Sequence, residues 1–454
     1  MPATTHDGQL TALGLALAFR ASLQCFTGCP GDYPLTSGRI RCPTCDGLLQ
    51  VTHDLDALRE RGANEWKEIF DARAGSSIGP HGSGVWSKRE WVAPEIEDEH
   101  IVTTGEGKST LFQATRLGRE LGLKDLWVKQ CGVSHTGSFK DLGMTVLVSV
   151  VEQALARGDL RASALACAST GDTSAALAAY GAVAGLPVVV LLPRGKVSSA
   201  QLVQPLAHGA KVFALDTDFD GCMAIITELA RRGHVYLANS MNPLRIEGQK
   251  TVAIEIAQQL GWHVPDWVIL PSGNLGNAAA LHAGFQMLID LGLTTRLPRL
   301  VIAQAERANP MYRAFVAGSS SVTGMQAGRT HASAIQIGHP VSAPRAMMAL
   351  RAMNGVVEDA SEDELAEACA QADRAGLYTC PHTGVALAAL KKLRARGLIR
   401  HAEKCVVIST AHGLKFTEFK RGYHEGTLAD VTSQHANRPV ELPADVEVVA
   451  AAIA

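Results

Sequence analysis

The sequence contains 454 residues, enough chain for two or three domains with separate hydrophobic cores. Hydrophobic residues make up 47% of the chain and charged residues 19%, a composition typical of globular enzymes. The formal net charge of −2 excludes the strongly basic surface of a nucleic-acid-binding protein, and no apolar run reaches the roughly 18 residues that a membrane span needs. We therefore expect neither a nucleic acid nor a membrane as a partner.

The first 100 residues differ from the rest and are predicted to form an accessory region. An apolar patch from Leu10 to Phe19 follows Asp7 and lacks a basic leading segment, so we expect no secretory signal and a cytoplasmic location. Residues 54–62 have helical spacing, and residues 74–84 are rich in glycine and serine. The accessory region is therefore expected to combine short elements with loops.

Two cysteine pairs lie within residues 23–51, a segment that is similar to a zinc ribbon. Cys42 and Cys45 have the CxxC spacing that turns two sulfur atoms toward one tetrahedral metal ion, whereas three residues separate Cys25 and Cys29. The longer first pair leaves three alternatives open, namely structural zinc, a metal-free remnant of such a site, and disulfide bonds. In each case the segment is expected to be structural.

From about residue 125 the chain alternates short apolar runs with segments of helical spacing. Such alternation predicts one or two parallel, doubly wound sheets. The predicted strands are residues 125–129, 164–169, 188–192, 211–215, 234–238, 267–271, 300–304 and 404–409. Residues 310–345 are polar and rich in glycine, which predicts a long functional loop.

Five of the predicted strands end in polar loops. The loops are SHTGSFK (134–140), TGDTSA (170–175), NSMNPLR (239–245), SGNLGN (272–277) and TAHGLKF (410–416). Ligands bind beyond the carboxyl ends of strands in doubly wound sheets, where helix N-termini offer free N–H groups to anions, so the five loops predict one site. The two glycines of SGNLGN suit a phosphate group, whereas Asp172 or Thr173 in TGDTSA is expected to cap a helix.

Lys140 lies at the predicted start of a helix, where the backbone dipole disfavours a positive charge. Partial burial there lowers the pKa of a lysine and favours the neutral, nucleophilic amine that imine formation requires. An aldehyde cofactor that also carries a phosphate would use both Lys140 and the 273–277 loop. The pattern therefore predicts pyridoxal 5′-phosphate.

The motifs SHTGSFKDLGMT, ASTGDTSA, NSMNPLRIEGQKT, SGNLGN and STAHGLKF together resemble those of the threonine synthase family, in its plant-like branch. That family belongs to the fold-type II pyridoxal-phosphate enzymes, and the resemblance covers roughly residues 100–416. It implies an α/β fold similar to the tryptophan synthase β subunit, with two doubly wound domains and an N-terminal Cys-rich extension. The implied organisation is an accessory region at 1–100, a large cofactor-binding domain at 101–139 and 246–430, a small domain at 140–245, and a C-terminal tail at 431–454.

The resemblance also implies roles for residues around the cofactor. Lys140 would form the Schiff base, with Phe139 beside it, and Thr410 would bond the pyridine nitrogen. The cofactor phosphate would be held by Gly273, Asn274, Leu275, Gly276 and Asn277. Asp172 stands where the wider family commonly has an asparagine near the cofactor 3′-oxygen, and this departure leaves its protonation and role open.

The implied substrate is O-phospho-L-homoserine, which the family converts with water into L-threonine and phosphate by γ-elimination and β-hydration. Its phosphate would be held by Asn239, Ser240 and Arg245. Further candidates for substrate or cofactor contacts are Ser134, Thr136 and Ser138. The family also implies a homodimer.

Three alternatives remain open at this stage. Cysteate synthase uses the same fold and also recognises a phosphate, whereas a threonine or serine dehydratase does not, and Arg245 with Asn239 and Ser240 argues against a dehydratase. A catalytically silent regulatory paralogue is disfavoured because Lys140, the SGNLGN loop and Thr410 are all intact.

Overall fold

The computed structural model describes residues 19–169, 171–195 and 199–453. Thr170 and nearly all of the apolar patch noted at residues 10–19 lie outside the described residues. Within these ranges, no helix is both long enough and apolar enough to cross a membrane.

The described chain contains 13 strands and 15 α-helices, which mostly alternate from β5 onward. The strands are β1 (Ala21–Cys25), β2 (Asp32–Pro34), β3 (Leu49–His53), β4 (Leu111–Gln113), β5 (Asp125–Gln130), β6 (Ala164–Ala168), β7 (Val188–Pro193), β8 (Lys211–Leu215), β9 (Val235–Leu237), β10 (Trp267–Pro271), β11 (Arg299–Ala305), β12 (Val356–Ala360) and β13 (Lys404–Ser409). The α-helices are α1 (Leu55–Arg59), α2 (Ala63–Ala74), α3 (Thr115–Leu121), α4 (Lys140–Arg157), α5 (Asp172–Val183), α6 (Ser199–Ala207), α7 (Phe219–Arg231), α8 (Leu244–Gln259), α9 (Gly276–Asp290), α10 (Pro310–Val316), α11 (Ala343–Ala352), α12 (Glu362–Arg374), α13 (Pro381–Ala395), α14 (Thr417–Glu425) and α15 (Val446–Ile453).

The larger sheet has six strands in the order β12-β11-β10-β13-β5-β4. Its neighbouring strands are parallel except for β4, which pairs antiparallel with β5 at one edge. Alternate residues of β10 enter two different core clusters, with Val268 and Leu270 on one face and Trp267 and Ile269 on the other. Both faces are therefore covered, which explains why β10 is apolar along its whole length.

The smaller sheet has four parallel strands in the order β8-β7-β6-β9. It is built from residues 164–237, between helices α4 and α8. All the strands predicted from residue 125 onward are present in one sheet or the other, so the prediction of an α/β fold with two parallel-type sheets is confirmed.

The N-terminal segment adds a three-stranded antiparallel sheet in the order β2-β1-β3. Aromatic side chains pack nearby, with ring centroids 5.5 Å apart for Phe19 and Trp66 and 4.8 Å apart for Phe70 and Trp91. His53 at the end of β3 places Nε2 2.9 Å from Glu247 Oε2 on α8. This small sheet is therefore joined to the first turn of α8.

Two local features differ from the prediction. Residues 310–345 are not one continuous loop, because α10 occupies the first seven of them. Strand β12 was not predicted, because its sequence VVEDA contains two acidic residues. Glu358 is nevertheless buried, and its carboxylate pairs with Arg396 and Lys392.

Candidate active site

Lys140 is the first residue of α4, as predicted, and lies where β5 and β13 both end. The preceding Phe139 donates its N–H to the Thr410 carbonyl oxygen at 2.9 Å, and the Lys140 ammonium lies 4.1 Å from the centre of the Phe139 ring. Burial, and after it the positive charge of Arg245, lower the pKa of Lys140 to about 7, although Asp172 acts in the opposite direction. A large share of the amine is therefore neutral near pH 7.

Two glycines bring Lys140 and Arg245 together. A Cβ atom at Gly143 would lie 2.8 Å from the Arg245 carbonyl oxygen, and one at Gly248 would lie 1.6 Å from the Leu142 carbonyl oxygen. Side chains at these two positions would therefore force α4 and α8 apart. Since the helices touch backbone to backbone, their first turns lie side by side at the same edge of the fold.

Arg245 is a buried cation whose charge is not paired. Its side chain is 3% exposed and forms no ion pair with any residue that the structure describes. Nη1 donates to the Ala238 carbonyl oxygen at 3.1 Å and Nη2 lies 3.4 Å from Thr173 Oγ1, while Nε has no partner in the described chain. Burial lowers the pKa of Arg245 to about 10, so the guanidinium stays charged at neutral pH. It is therefore suited to bind an anion.

The other two residues predicted beside Arg245 have different surroundings. The Ser240 hydroxyl accepts a hydrogen bond from Asn274 Nδ2 at 3.3 Å, which connects this segment to the predicted phosphate loop. Asn239, in contrast, accepts from the Ala168 N–H at 3.0 Å and donates to the Ala168 carbonyl oxygen at 2.9 Å. Its amide therefore ties the ends of β6 and β9 together.

The predicted phosphate loop lies between β10 and α9. Leu275 has a φ of +66°, which turns the chain sharply before the helix begins at Gly276. A Cβ atom at Gly273 would lie 2.7 Å from Ile335 Cα, so Ile335 lies directly against the loop. Ile335 belongs to residues 328–340 of the polar stretch, here called the 328–340 segment.

Asn277 donates from Nδ2 to the Pro271 carbonyl oxygen at 2.8 Å and thereby holds the turn closed. Ala278 and Ala279 in the first turn of α9 donate within the chain, to Asn277 Oδ1 and the Leu275 carbonyl oxygen. Among the described residues, the N–H groups of Gly276 and Asn277 have no partner and remain for an anion.

A small cavity lies next to these groups. Its wall includes Phe139, Asn277, Gln249 and Thr410. Thr410, at the carboxyl end of β13, is nearly buried and is the hydroxyl of the STAHGLKF motif that faces this space. Phe139, the neighbour of Lys140, lies on this wall together with Asn277 of the anion-binding turn and the Thr410 hydroxyl. A nucleophilic amine next to an anion-binding turn and a hydroxyl fits pyridoxal phosphate.

The prediction that Asp172 or Thr173 caps a helix is wrong. Asp172 is the first residue of α5, and Gly171, which has no side chain to act as a cap, occupies the cap position. The Asp172 carboxylate instead lies 3.1 Å from Lys415 Nζ. Lys415 was missed because its partner is distant in sequence, although it belongs to the STAHGLKF motif.

Ser134 and Thr136 were predicted as ligand contacts, but both are bonded within the chain. The Ser134 hydroxyl donates to the Asp141 carboxylate at 2.5 Å, and the Thr136 N–H donates to it at 2.8 Å, with the Thr136 hydroxyl on the other carboxylate oxygen. The buried Asp141 therefore fastens the 134–138 loop to the first turn of α4. Among the described residues, the Ser138 hydroxyl has one hydrogen bond, a long one of 3.4 Å from the Lys140 N–H.

A cluster around Cys380 lies behind Thr410 and was also missed. His382 Nε2 accepts the Ala334 N–H at 2.9 Å, so in the neutral ring Nδ1 carries the proton and faces Cys380 Sγ at 3.4 Å. Cys380 Sγ lies 3.8 Å from Thr410 Oγ1. The cluster therefore connects the 328–340 segment to Thr410, and the motif CPHTG was its only signal in the sequence.

The N-terminal cysteines converge on one point away from this site. Sulfur atoms of Cys25, Cys29, Cys42 and Cys45 all lie within 4.8 Å of one another, and Cys25 Sγ is 3.6 Å from Cys45 Sγ. All four are free thiols in the described structure. Tetrahedral zinc with Zn–S bonds of about 2.3 Å requires sulfur separations of roughly 3.8 Å, which this cluster can supply.

Comparison with known proteins identifies the family. Residues 102–411 match the model of the pyridoxal-phosphate-dependent enzymes. The chain is 55% identical over 399 residues to the chloroplastic threonine synthase 2 of Arabidopsis thaliana, covering 87% of this chain and 77% of that one. The chain belongs to the threonine synthases, within the pyridoxal-phosphate-dependent enzymes.

Further members of the threonine synthase family support this placement. The enzyme of Methanosarcina acetivorans is 40% identical over 390 residues, which cover 85% of this chain and 90% of that one. The structure of a threonine synthase from Brucella melitensis with bound pyridoxal phosphate matches the fold with a TM-score of 0.66 at 17% identity, covering 94% of this chain and 93% of that one. The predicted family and fold class are therefore confirmed.

Proposed function

We propose that the chain converts O-phospho-L-homoserine and water into L-threonine and phosphate, with pyridoxal 5′-phosphate bound to Lys140. The main observation is that an amine with a pKa of about 7 lies beside a buried arginine that has no counter-ion among the described residues. The amine suits the aldehyde of the cofactor, and the arginine suits the phosphate of the substrate. Identity of 55% to the Arabidopsis threonine synthase supports this activity.

The cofactor would be held by three parts of the site. Lys140 would bond its aldehyde carbon, residues 273–277 would surround its phosphate, and the Thr410 hydroxyl would hold its ring nitrogen. When bound, pyridoxal phosphate withdraws electrons from the carbon atoms next to the substrate amine. A hydroxyl partner, unlike a carboxylate, leaves the ring nitrogen largely unprotonated, which moderates this withdrawal.

Lys140 would also move protons. An amine with a pKa of about 7 exists in both protonation states near neutral pH, so it can act as base and as acid. We infer that it removes protons from Cα and Cβ of the substrate and later returns protons to Cγ and Cα. Phosphate leaves from Cγ, which becomes the methyl group, and water adds at Cβ to give threonine.

Arg245 and Ser240 would hold the substrate phosphate. Arg245 supplies a permanent charge with a free Nε–H, and Ser240 is connected to the cofactor loop through Asn274. Asn239 would act indirectly, because its amide is already bonded to Ala168. Ser134 and Thr136 would also act indirectly, because their bonds to Asp141 hold the 134–138 loop in position. Ser138 would remain a candidate for direct contact with the substrate or cofactor.

Asp172 would be tolerated near the cofactor because Lys415 neutralises it. The pair carries no net charge, so it would not repel the cofactor oxygen as a lone carboxylate would. We therefore propose that the Asp172–Lys415 pair takes the place that a neutral asparagine side chain holds elsewhere in the fold type.

The decisive experiment is to incubate the holoenzyme with O-phospho-L-homoserine and to measure threonine and phosphate together. Equal amounts of both products are expected, and Lys140→Ala should abolish them together with the long-wavelength absorption of the lysine-bound cofactor. A dehydratase would instead release ammonia from threonine or serine. Turnover of phosphoserine with sulfite, without any threonine, would identify a cysteate synthase and contradict the proposal, and loss of all turnover would indicate a silent paralogue.

We propose that the four N-terminal cysteines hold a structural zinc ion. Their sulfur atoms form a compact group. Gly28, between Cys25 and Cys29, and Asp46, directly after Cys45, both have positive φ and turn the chain beside the sulfur atoms. The mutual separation of the sulfurs and their free state favour zinc over disulfide bonds, while a metal-free remnant remains the alternative that metal analysis must exclude.

We also propose that the chain forms a homodimer and acts in the cytoplasm. The dimer rests on the family resemblance, and light scattering on the purified holoenzyme would measure it. A cytoplasmic location is the expectation stated above, whereas the Arabidopsis relative is named as chloroplastic. Localisation of the tagged full chain in its own cell would decide between the two.

A further inference from the structure

A second cavity lies between the N-terminal sheet and the N-terminal halves of α8, α9 and α11. Its wall includes Phe26, Val51, Glu247, His282 and Arg345. It shares no lining residue with the cavity beside Thr410. The residues of this second cavity have no part in the reaction described above.

Arg345 is the unexplained group in this cavity. Its side chain is 3% exposed and forms no ion pair with the described residues. Nη2 donates to the Leu49 carbonyl oxygen, but Nε and Nη1 have no hydrogen-bond partner in the described chain. Arg345 is also the third residue of α11, where the helix dipole disfavours a cation. A buried, unpaired cation at this end of a helix is costly unless an anion joins it.

The other polar groups narrow the chemistry of that anion. Glu247 lines the same wall, and Lys250 pairs with it through Oε2. The hydrogen bonds that Glu247 accepts, from His53 and Lys250, both go to Oε2, which leaves Oε1 for a donor on a ligand. The buried His282 has an unpaired Nε2, and the rest of the wall is largely apolar, including Phe26, Ile246 and Met348.

We propose that this cavity binds a free α-amino acid with an apolar side chain, with its carboxylate on Arg345 and its ammonium group on Glu247. A single carboxylate matches the single unpaired guanidinium. The ammonium group of the amino acid donates to the free carboxylate oxygen of Glu247, and its apolar side chain packs against Phe26 and Met348. The site is independent of the proposed reaction and would exist even if the chain acted on a different substrate.

The test is calorimetric titration of the holoenzyme with L-leucine, alongside 4-methylpentanoate, which lacks the amine, and 3-methylbutylamine, which lacks the carboxylate. We expect one L-leucine per chain, weaker binding of the acid, and no binding of the amine. The cofactor absorption should stay unchanged during the titration, and Lys140→Ala should still bind L-leucine, because the active site is not involved.

Arg345→Met should weaken L-leucine binding at least tenfold, whereas Arg351→Met, an exposed arginine on the same helix, should leave it unchanged. Met348→Trp is the second variant. Met348 is 44% exposed on the wall, so the larger side chain should fill the cavity without disturbing the fold and should also abolish binding. Equal affinity in wild type and Arg345→Met would overturn the proposal, as would binding that requires Lys140. Binding of inorganic phosphate in place of L-leucine would overturn the amino-acid assignment.

Discussion

The carboxylate of Asp172 and the ammonium group of Lys415 lie 3.1 Å apart, although 242 residues separate them along the chain. Lys415 also donates to the Thr136 carbonyl oxygen at 2.9 Å and to Gln204 Oε1 at 2.8 Å. It therefore joins the loops that follow β5, β6 and β13. The pair explains how an acidic residue can stand close to Lys140 without leaving an unbalanced charge there.

This pairing predicts an asymmetric response to mutation. Lys415→Met leaves Asp172 unpaired in a nearly buried site, and we expect the rate of threonine formation to fall by about tenfold or more. Asp172→Asn removes the charge and keeps the shape, so activity should stay within about threefold of wild type. The double variant should recover much of what Lys415→Met loses, as measured by kcat/KM for all four proteins. If the double variant is as impaired as Lys415→Met, charge balance is not the role of Lys415.

The pKa of Lys140 predicts how the apoenzyme takes up its cofactor. Only the neutral amine attacks an aldehyde, so the rate of pyridoxal phosphate rebinding should rise with pH through about 7. The positive charge of Arg245 disfavours the protonated lysine and so lowers its pKa. Arg245→Met should therefore raise this pKa and move the rate profile to higher pH, with slower rebinding at pH 7.

Arg245→Lys is the control for this measurement. It keeps a positive charge and should leave the pH profile near that of wild type, while weakening substrate binding because the planar guanidinium is lost. A profile that does not move in Arg245→Met would show that burial alone sets the pKa of Lys140.

The helix crossing predicts a large effect of very small substitutions. Gly248→Ala would place a methyl group 1.6 Å from the Leu142 carbonyl oxygen, so α4 and α8 must separate. We expect the midpoint of thermal unfolding to fall by roughly 5 °C and activity to fall with it, because the distance between Lys140 and Arg245 changes. Gly75→Ala is the matched control, since nothing lies within 4 Å of its added Cβ and its φ is −86°. An unchanged midpoint in Gly248→Ala would contradict the close contact.

The cysteine cluster predicts one zinc ion per chain in protein purified without added metal. Cys42→Ser should remove a ligand, lower the bound zinc measured by mass spectrometry, and destabilise the N-terminal sheet. Cys405→Ser, at a buried cysteine of the larger sheet, should leave the metal content unchanged. Full stability in Cys42→Ser together with no zinc in wild type would identify a metal-free remnant.

The fold could be predicted largely because its central strands are buried on both faces. Such strands are continuous apolar runs, and WVILP in β10 is the clearest of them. Strand β12 was not predicted because it contains the charged residue Glu358. Glu358 is buried and pairs with Lys392 of α13 and with Arg396 directly after that helix, and sequence periodicity does not reveal such pairs. The domain bounds derived from the resemblance remain a prediction.

The site could be predicted only in part, for a related reason. The order of strands and loops indicates which polar residues gather at one edge, but it does not indicate which partner each residue takes. Asn239 bonds Ala168, and Ser134 and Thr136 bond Asp141, so groups expected to meet a ligand are used within the chain. Lys415 was overlooked because its partner Asp172 lies far away in sequence. Cys380 was overlooked because it lies behind Thr410, which the sequence does not indicate.

The contact between Gly143 and Gly248 has a further meaning for catalysis. Because main chain meets main chain there, no rotamer change can alter the spacing of the two helix starts. Lys140 and Arg245 are therefore preorganised before cofactor or substrate arrives, and little reorganisation remains for the moment of reaction. Replacing Arg245 leaves the backbone position of Lys140 in place, so a shift in the pKa of Lys140 in such a variant reports the lost charge and not a moved helix.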